Sequence, residues 1–289
     1  MPERATVTVL GLGPMGQAMV RAYLDADIAV TVWNRTAEKS DRMAEIGARR
    51  ADSVGAAVAA AEVIVLSLTH YEAMYEVLGP VADGLTGKVV VNLSSDSPEQ
   101  TRRGAEWVRA HGGEFLAGGV MGQPEELAGP DAYIFYSGPR EVFDAHLGLL
   151  SPLAAPEYLG ADDGLAQVYY QAMLALFLPL LLGYEQAMAI IDRSGSEIDR
   201  FLPYAQRSLG TVTDLYAAWA GMAAAGGLGD PGYLRMMDAG ARHVVATGAA
   251  VGVDVELAEA VSSYWRRAIA AGAESGVPVS TFQLVRGTA

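Results

Sequence analysis

The sequence predicts an α/β N-terminal domain, joined by one long interdomain helix to an all-α C-terminal domain. Three observations predict it. Short β-branched runs alternate with helical stretches over the first half, an uncharged segment extends from Leu165 to Tyr184, and strand-like runs cease beyond Gly164.

The runs 6–10, 28–33, 62–68 and 88–93 are nearly continuous in apolar residues, as expected of strands buried on both faces of a parallel sheet. Between them, 14–26, 36–46, 53–60 and 70–83 have helical length and pattern, which makes βαβ units with right-handed crossovers. Ser97 and Pro98 suit the cap and first turn of a following helix. Strand-like runs at 114–120 and 132–137 give the sheet room for six to eight strands. A boundary within Gly160–Gly164 divides the chain into residues 1–162, an interdomain helix over 163–193, and a helical domain over 194–289. Within the last, 217–225 reads as a helix end, followed by a mobile loop from Gly226 to Gly232.

With 289 residues, 51% of them hydrophobic, the chain can bury a large core. A formal charge of −14 repels phosphate backbones and anionic lipid, so nucleic acid is a poor partner. Cysteine is absent, which excludes disulfides and thiolate chemistry, and four scattered histidines leave little room for a metal. The first residues lack the order of a secretion signal, and a cytoplasmic location is expected. The uncharged segment 165–184 has the length of a membrane span, yet it carries Gln167, Gln171 and Pro179 and runs straight into Glu185. It reads instead as a helix buried by protein on all sides, with no membrane partner.

Gly11-Leu12-Gly13-Pro14-Met15-Gly16 lies between the first strand and the first helix. There, glycines permit a tight turn and close approach of a pyrophosphate to a helix N-terminus, as in a Rossmann dinucleotide site. At the end of the second strand, where an acidic residue would bind a ribose 2′-hydroxyl, the chain offers Asn34-Arg35-Thr36. Arg35 can make charge-assisted bonds to a 2′-phosphate, so the cofactor expected is NADPH. The loops Ser67-Leu68-Thr69-His70 and Asn92-Leu93-Ser94-Ser95 follow strands at the binding edge of the sheet, which makes Leu68, Thr69, Asn92 and Ser94 cofactor candidates. His70 is expected to cap or decorate the surface of the next helix rather than to act in catalysis.

The run Gly11 to Met19, Asn34-Arg35-Thr36, Val91 to Ser95, Gly118-Gly119-Val120-Met121, Tyr136-Ser137-Gly138 and Gly164-Leu165-Ala166 together resemble the 3-hydroxyisobutyrate (β-hydroxyacid) dehydrogenase superfamily. Within it, the chain looks closest to the imine reductases. Hydroxyacid dehydrogenases use a lysine on the interdomain helix, whereas this chain has only Lys39 and Lys88, both in the first domain. Imine reductases carry Asp or Tyr near the start of that helix. The stretch Gly164 to Ala172 places Tyr170 at that position, with Tyr169 just before it. Successive helical residues point about 100° apart, so at most one of the pair can serve the reacting atom well.

The resemblance implies NADPH-dependent reduction of imines, mainly cyclic, with Tyr170 orienting a proton or holding the iminium by its ring. It adds Val120 to the cofactor site. It also implies an apolar substrate pocket, for which Met121, Met173, Phe177, Trp219, Met222, Met236 and His243 are candidates, each equally explicable as helix packing. An intertwined homodimer is implied as well, and would supply cover for the uncharged helix. Two alternatives stay open: a hydroxyacid dehydrogenase-like enzyme with a displaced catalytic group, and a non-catalytic NADPH-binding sensor.

Overall fold

The computed structural model describes residues 5–224 and 229–287. The chain forms two compact units, divided between Ala175 and Leu176.

The first unit is built on an eight-stranded sheet: β1 (Thr6–Leu10), β2 (Ala29–Trp33), β3 (Arg49–Arg50), β4 (Val63–Leu66), β5 (Val89–Asn92), β6 (Glu114–Met121), β7 (Tyr133–Ser137) and β8 (Ala155–Gly160). Their order is β3-β2-β1-β4-β5-β6-β7-β8, and every neighbouring pair is parallel except β6 with β7. Strand alternation divides the apolar residues between two layers. Val7, Val9, Val63, Val65, Val89 and Val91 pack on one face, while Leu10, Ile64, Leu66 and Val90 pack on the other. Full burial of such a side chain contributes roughly 1.5–3 kcal/mol, which makes β1, β4 and β5 the anchor of the unit. Thr8, the polar member of this group, is also buried and donates its hydroxyl to Ala57 O at 2.8 Å.

The crossover helices are α1 (Pro14–Asp25), α2 (Ala37–Glu45), α3 (Val54–Ala59), α4 (Tyr71–Leu78) and α5 (Pro98–Ala110). Ser53, His70 and Ser97 cap α3, α4 and α5 through their side chains, so His70 has the expected capping role. The helix anticipated over 70–83 is divided: α4 ends at Leu78, and Gly79–Leu85 continues as a 3-10 segment with Val81 out of helical geometry. Short helices α6 (Arg140–Ala145) and α7 (Leu147–Leu150) precede β8.

α8 (Leu165–Arg193) begins at the anticipated position and contains the division between the units. Its entry is fastened to α5 by two forked ion pairs, Arg102 with Asp162 and Arg109 with Asp163, at 2.7–2.8 Å.

The second unit continues through α9 (Ile198–Gly210), α10 (Val212–Ala224), α11 (Pro231–Ala250), α12 (Glu256–Ser275) and α13 (Thr281–Arg286). α11 starts at a cap by Asp230, whose carboxylate accepts from Tyr233 N at 2.7 Å, and α13 starts with a Ser280–Gln283 capping box. Residue 225, the last of the anticipated helix end, and 226–228 of the loop anticipated before α11 lie outside the described residues.

The burial expected of α8 is not met. α8 is not covered on all sides within a single chain, because Leu176, Phe177, Leu178, Leu180, Leu181 and Leu182 are 42–58% exposed. It is the one helix among the described residues long and apolar enough to cross a membrane by length and composition.

Candidate active site

The carboxyl ends of β1 and β4 adjoin at the point where strand order reverses, the usual ligand edge of such a sheet. The glycine loop there has little freedom to be anything else. Gly11 has φ +95°, and a Cβ on it would stand 2.2 Å from Ser67 O; a Cβ on Gly16 would stand 2.1 Å from Gly11 O. At Gly13 the direction of a Cβ is open, with no protein atom within 4 Å. Gly13 caps α1 without a side chain, and Pro14 follows it, so the first-turn N–H groups receive no side-chain cap. A pyrophosphate fits this cradle by shape and by the sign of the helix dipole.

Asn34 holds the loop from the side. Its Oδ1 accepts from Leu12 N and its Nδ2 donates to Thr36 O, both at 3.0 Å. Arg35 projects to solvent with 73% of its side chain exposed, and Thr36 makes no capping bond through its hydroxyl. Asn34 therefore serves as a brace, leaving Arg35 and Thr36 as the polar groups presented beyond β2.

A cavity of about 310 Å³ lies beside this loop, walled by Met15, Ser67, Leu68, Thr69, Leu93, Ser95, Gly118, Gly119, Val120, Gly122, Gln123, Gln167 and Tyr170. No Lys, Arg, Asp, Glu or His is among them. Of the anticipated cofactor residues, Met15, Leu68, Thr69 and Val120 reach it. Asn92 and Ser94 do not, because both are buried braces: Asn92 Oδ1 accepts from Ser94 N at 2.9 Å, and Ser94 Oγ accepts from Leu68 N at 3.0 Å.

The two tyrosines separate as helical geometry requires. Tyr170 lies on the cavity wall against Gly119, whereas Tyr169 is 47% exposed and meets Phe135 edge-on at 5.6 Å. Tyr169 is thus corrected from a catalytic candidate to a surface packing residue. Met121 and Met173 also stay off the cavity wall; Met121 pairs with Tyr133 in the sheet. Phe177, Trp219, Met222, Met236 and His243 belong to the second unit. There Trp219 meets Tyr233 edge-on at 5.9 Å, Met222 and Met236 are 40% and 61% exposed, and His243 is exposed. Asp238 is buried in the same unit, accepting from Ser262 Oγ at 2.9 Å and pairing with Arg242, which ties α11 to α12.

Residues 6–169 match the NAD-binding domain of 6-phosphogluconate dehydrogenase, and residues 162–287 match the family described as NADPH-dependent reductive aminase-like, C-terminal domain. The solved imine reductase of Streptomyces aurantiacus is 38% identical, with a TM-score of 0.91 over 98% of this chain and 99% of that one. The chain belongs to the imine reductase family. A Bacillus cereus imine reductase structure is 40% identical, with a TM-score of 0.84 over 98% of each chain. The NADPH-dependent reductive aminase of Aspergillus oryzae is 33% identical over 66% of this chain, a match spanning 65% of that protein.

In this imine reductase family member, two glutamines that the sequence does not mark as site residues anchor the start of α8. Gln167 is fully buried, donating to Gly118 O at 2.9 Å and Ser94 O at 3.2 Å and accepting from Asp96 N at 3.4 Å. Gln171, one turn on, donates to Ser95 Oγ and Asp96 O at 3.1 and 3.0 Å. The two amides fasten the first turns of α8 to the loop after β5 and to strand β6, and so fix where Tyr170 stands. The available signal was two glutamines spaced i, i+4 in the uncharged first part of the helix.

Proposed function

We propose that this protein reduces imines and iminium ions, mainly cyclic ones, to amines with NADPH. The observation that carries the reading is a cavity beside the dinucleotide cradle with a tyrosine on its wall and no ionised side chain among its lining residues. Oxidising an alcohol needs a base for the hydroxyl proton. Lys39 lies in α2, and Lys88 donates to Ala61 O at 2.8 Å at the start of β5, so neither lysine serves this cavity. An iminium arrives protonated and asks chiefly for positioning in a dry site.

The cofactor supplies a hydride when bound. Gly11, Gly13 and Gly16 admit its pyrophosphate, Arg35 and Thr36 hold the 2′-phosphate, and Leu68, Thr69 and Val120 contribute walls. Tyr170 presents its ring to the cationic substrate and its hydroxyl to the nitrogen, orienting or supplying the proton there.

The exposed leucines of α8 support a homodimer, a second copy being the apolar surface that would cover them. To test the activity, purified protein is mixed with NADPH and a substituted pyrroline, with NADPH and glyoxylate, and with NADP⁺ and a hydroxyacid. Loss of reduced-nicotinamide absorbance with the pyrroline alone supports the reading. Turnover of the hydroxyacid alone, or of nothing, overturns it.

A further inference from the structure

Arg35 has a partner of its own. Its Nη2 donates to Glu76 Oε2 at 2.8 Å, linking the turn after β2 to the last turn of α4. Near the C-terminal end of a helix a carboxylate gains nothing from the helix dipole, and Glu72 one turn earlier adds like charge. The guanidinium is the group that compensates Glu76.

We propose that Glu76 is a specificity-determining residue: its carboxylate competes with the ribose 2′-phosphate for the Arg35 guanidinium, and so limits the preference for the phosphorylated dinucleotide. The proposal rests on the reading of Arg35 as the 2′-phosphate ligand. A phosphate monoester at neutral pH carries nearly two negative charges, and within a few ångströms of Glu76 the repulsion is only partly screened. To grip the phosphate with its fork, Arg35 must turn donors away from Glu76. A dinucleotide with a free 2′-hydroxyl brings no second anion to this spot, and Glu76 is indifferent to it. Both side chains are largely exposed, at 73% and 55%, so the contest takes place at the surface and the fold does not depend on its outcome.

The test is a double-mutant cycle read by direct binding, using the fluorescence of NADPH and NADH titrated into the full-length protein. Glu76→Gln is expected to tighten NADPH about threefold while leaving NADH unchanged, the scale set by the modest worth of exposed ion pairs. In an Arg35→Gln background the gain for NADPH should shrink, since the contested group is gone and only the direct repulsion between Glu76 and the phosphate is relieved. Unchanged or weaker NADPH binding by Glu76→Gln overturns the proposal, as does an equal gain in the Arg35→Gln background. If Arg35→Gln itself leaves the preference for NADPH over NADH intact, the reading beneath the proposal fails and the proposal falls with it.

Discussion

Gly119 and Tyr170 are in such close contact that a Cβ added to Gly119 would lie 2.7 Å from the Cβ of Tyr170 and 3.0 Å from its ring. The near approach of strand to helix is what brings the phenol to the cavity wall. Gly119→Ala should therefore displace Tyr170 without exposing core, and imine turnover should fall on the order of tenfold or more, as small misplacements at a reacting centre do. The check is kcat for the pyrroline alongside Tm: overpacking of this contact should lower Tm by several degrees, and kcat should fall at a temperature where the variant remains folded.

Substitution of the phenols should separate them. Tyr170→Phe is expected to lower kcat more than it weakens NADPH binding, because only the hydroxyl is lost from the cavity. Tyr169→Phe, altering a side chain packed on Phe135 and facing solvent, should leave kcat within about twofold, as surface changes commonly do. Steady-state kinetics with a parallel NADPH titration decides both.

The strands at the centre of the sheet were legible because Val63–Leu66 and Val89–Asn92 are buried on both faces, and unbroken apolar runs mark that environment. β3, only Arg49–Arg50, and β8, Ala155–Gly160 with a proline and alternating exposure, sit at the sheet edges and carry no such run. At the site, the glycine loop could be read from its position between the first strand and the first helix. Asn34, Asn92 and Ser94 could not be sorted that way, since a polar side chain beside a ligand edge can face the ligand or bond backbone, and here backbone amides claim all three. Gln167 was hidden for the opposite reason: a glutamine near a helix start usually faces water, and only the proximity of Gly118 and Ser94 reveals its use.

Loss of the Asn34 brace should affect both dinucleotides. Asn34→Leu leaves the Leu12 amide without its 3.0 Å acceptor, a loss of about 1–3 kcal/mol where the group remains shielded from water. NADPH and NADH binding should weaken by the same factor, because the loop that meets the pyrophosphate is common to them. A change confined to NADPH would assign Asn34 to the 2′-phosphate instead. Fluorescence titration of the two cofactors distinguishes the outcomes.

Acid should loosen the entry to α8. The Arg102 guanidinium, hydrogen-bonded to Asp162, holds its carboxyl below the ordinary carboxylate value, aided by the Gly164 amide. A pKa lowered by folding stabilises the protein above the unfolded value of about 4, and that stabilisation is lost as pH falls through the lowered one. Asp162→Asn keeps an acceptor for Gly164 and removes the charge. At pH 7 it should lower Tm by less than about 2 °C, since the pair is half exposed, and the difference from wild type should shrink in acid. Thermal melts from neutral pH to pH 3 follow it.

The exposed face of α8 makes the last prediction the most demanding of the proposed assembly. Leu178 and Leu182 lie one helical turn apart at 58% and 52% exposure, and a charge at either would have to be desolvated if another copy of the chain sat against them. Leu178→Glu combined with Leu182→Glu should convert a dimer to monomer in size-exclusion chromatography with light scattering, and the monomer should keep its helical circular dichroism. Were the stripe instead exposed in the native particle, the same pair of substitutions would leave the measured mass unchanged and simply raise solubility. A stripe that met lipid would declare itself differently, through co-sedimentation of the wild type with neutral vesicles and its loss in the variant. The proposed dimer requires that the wild type remain in the supernatant at twice the chain mass.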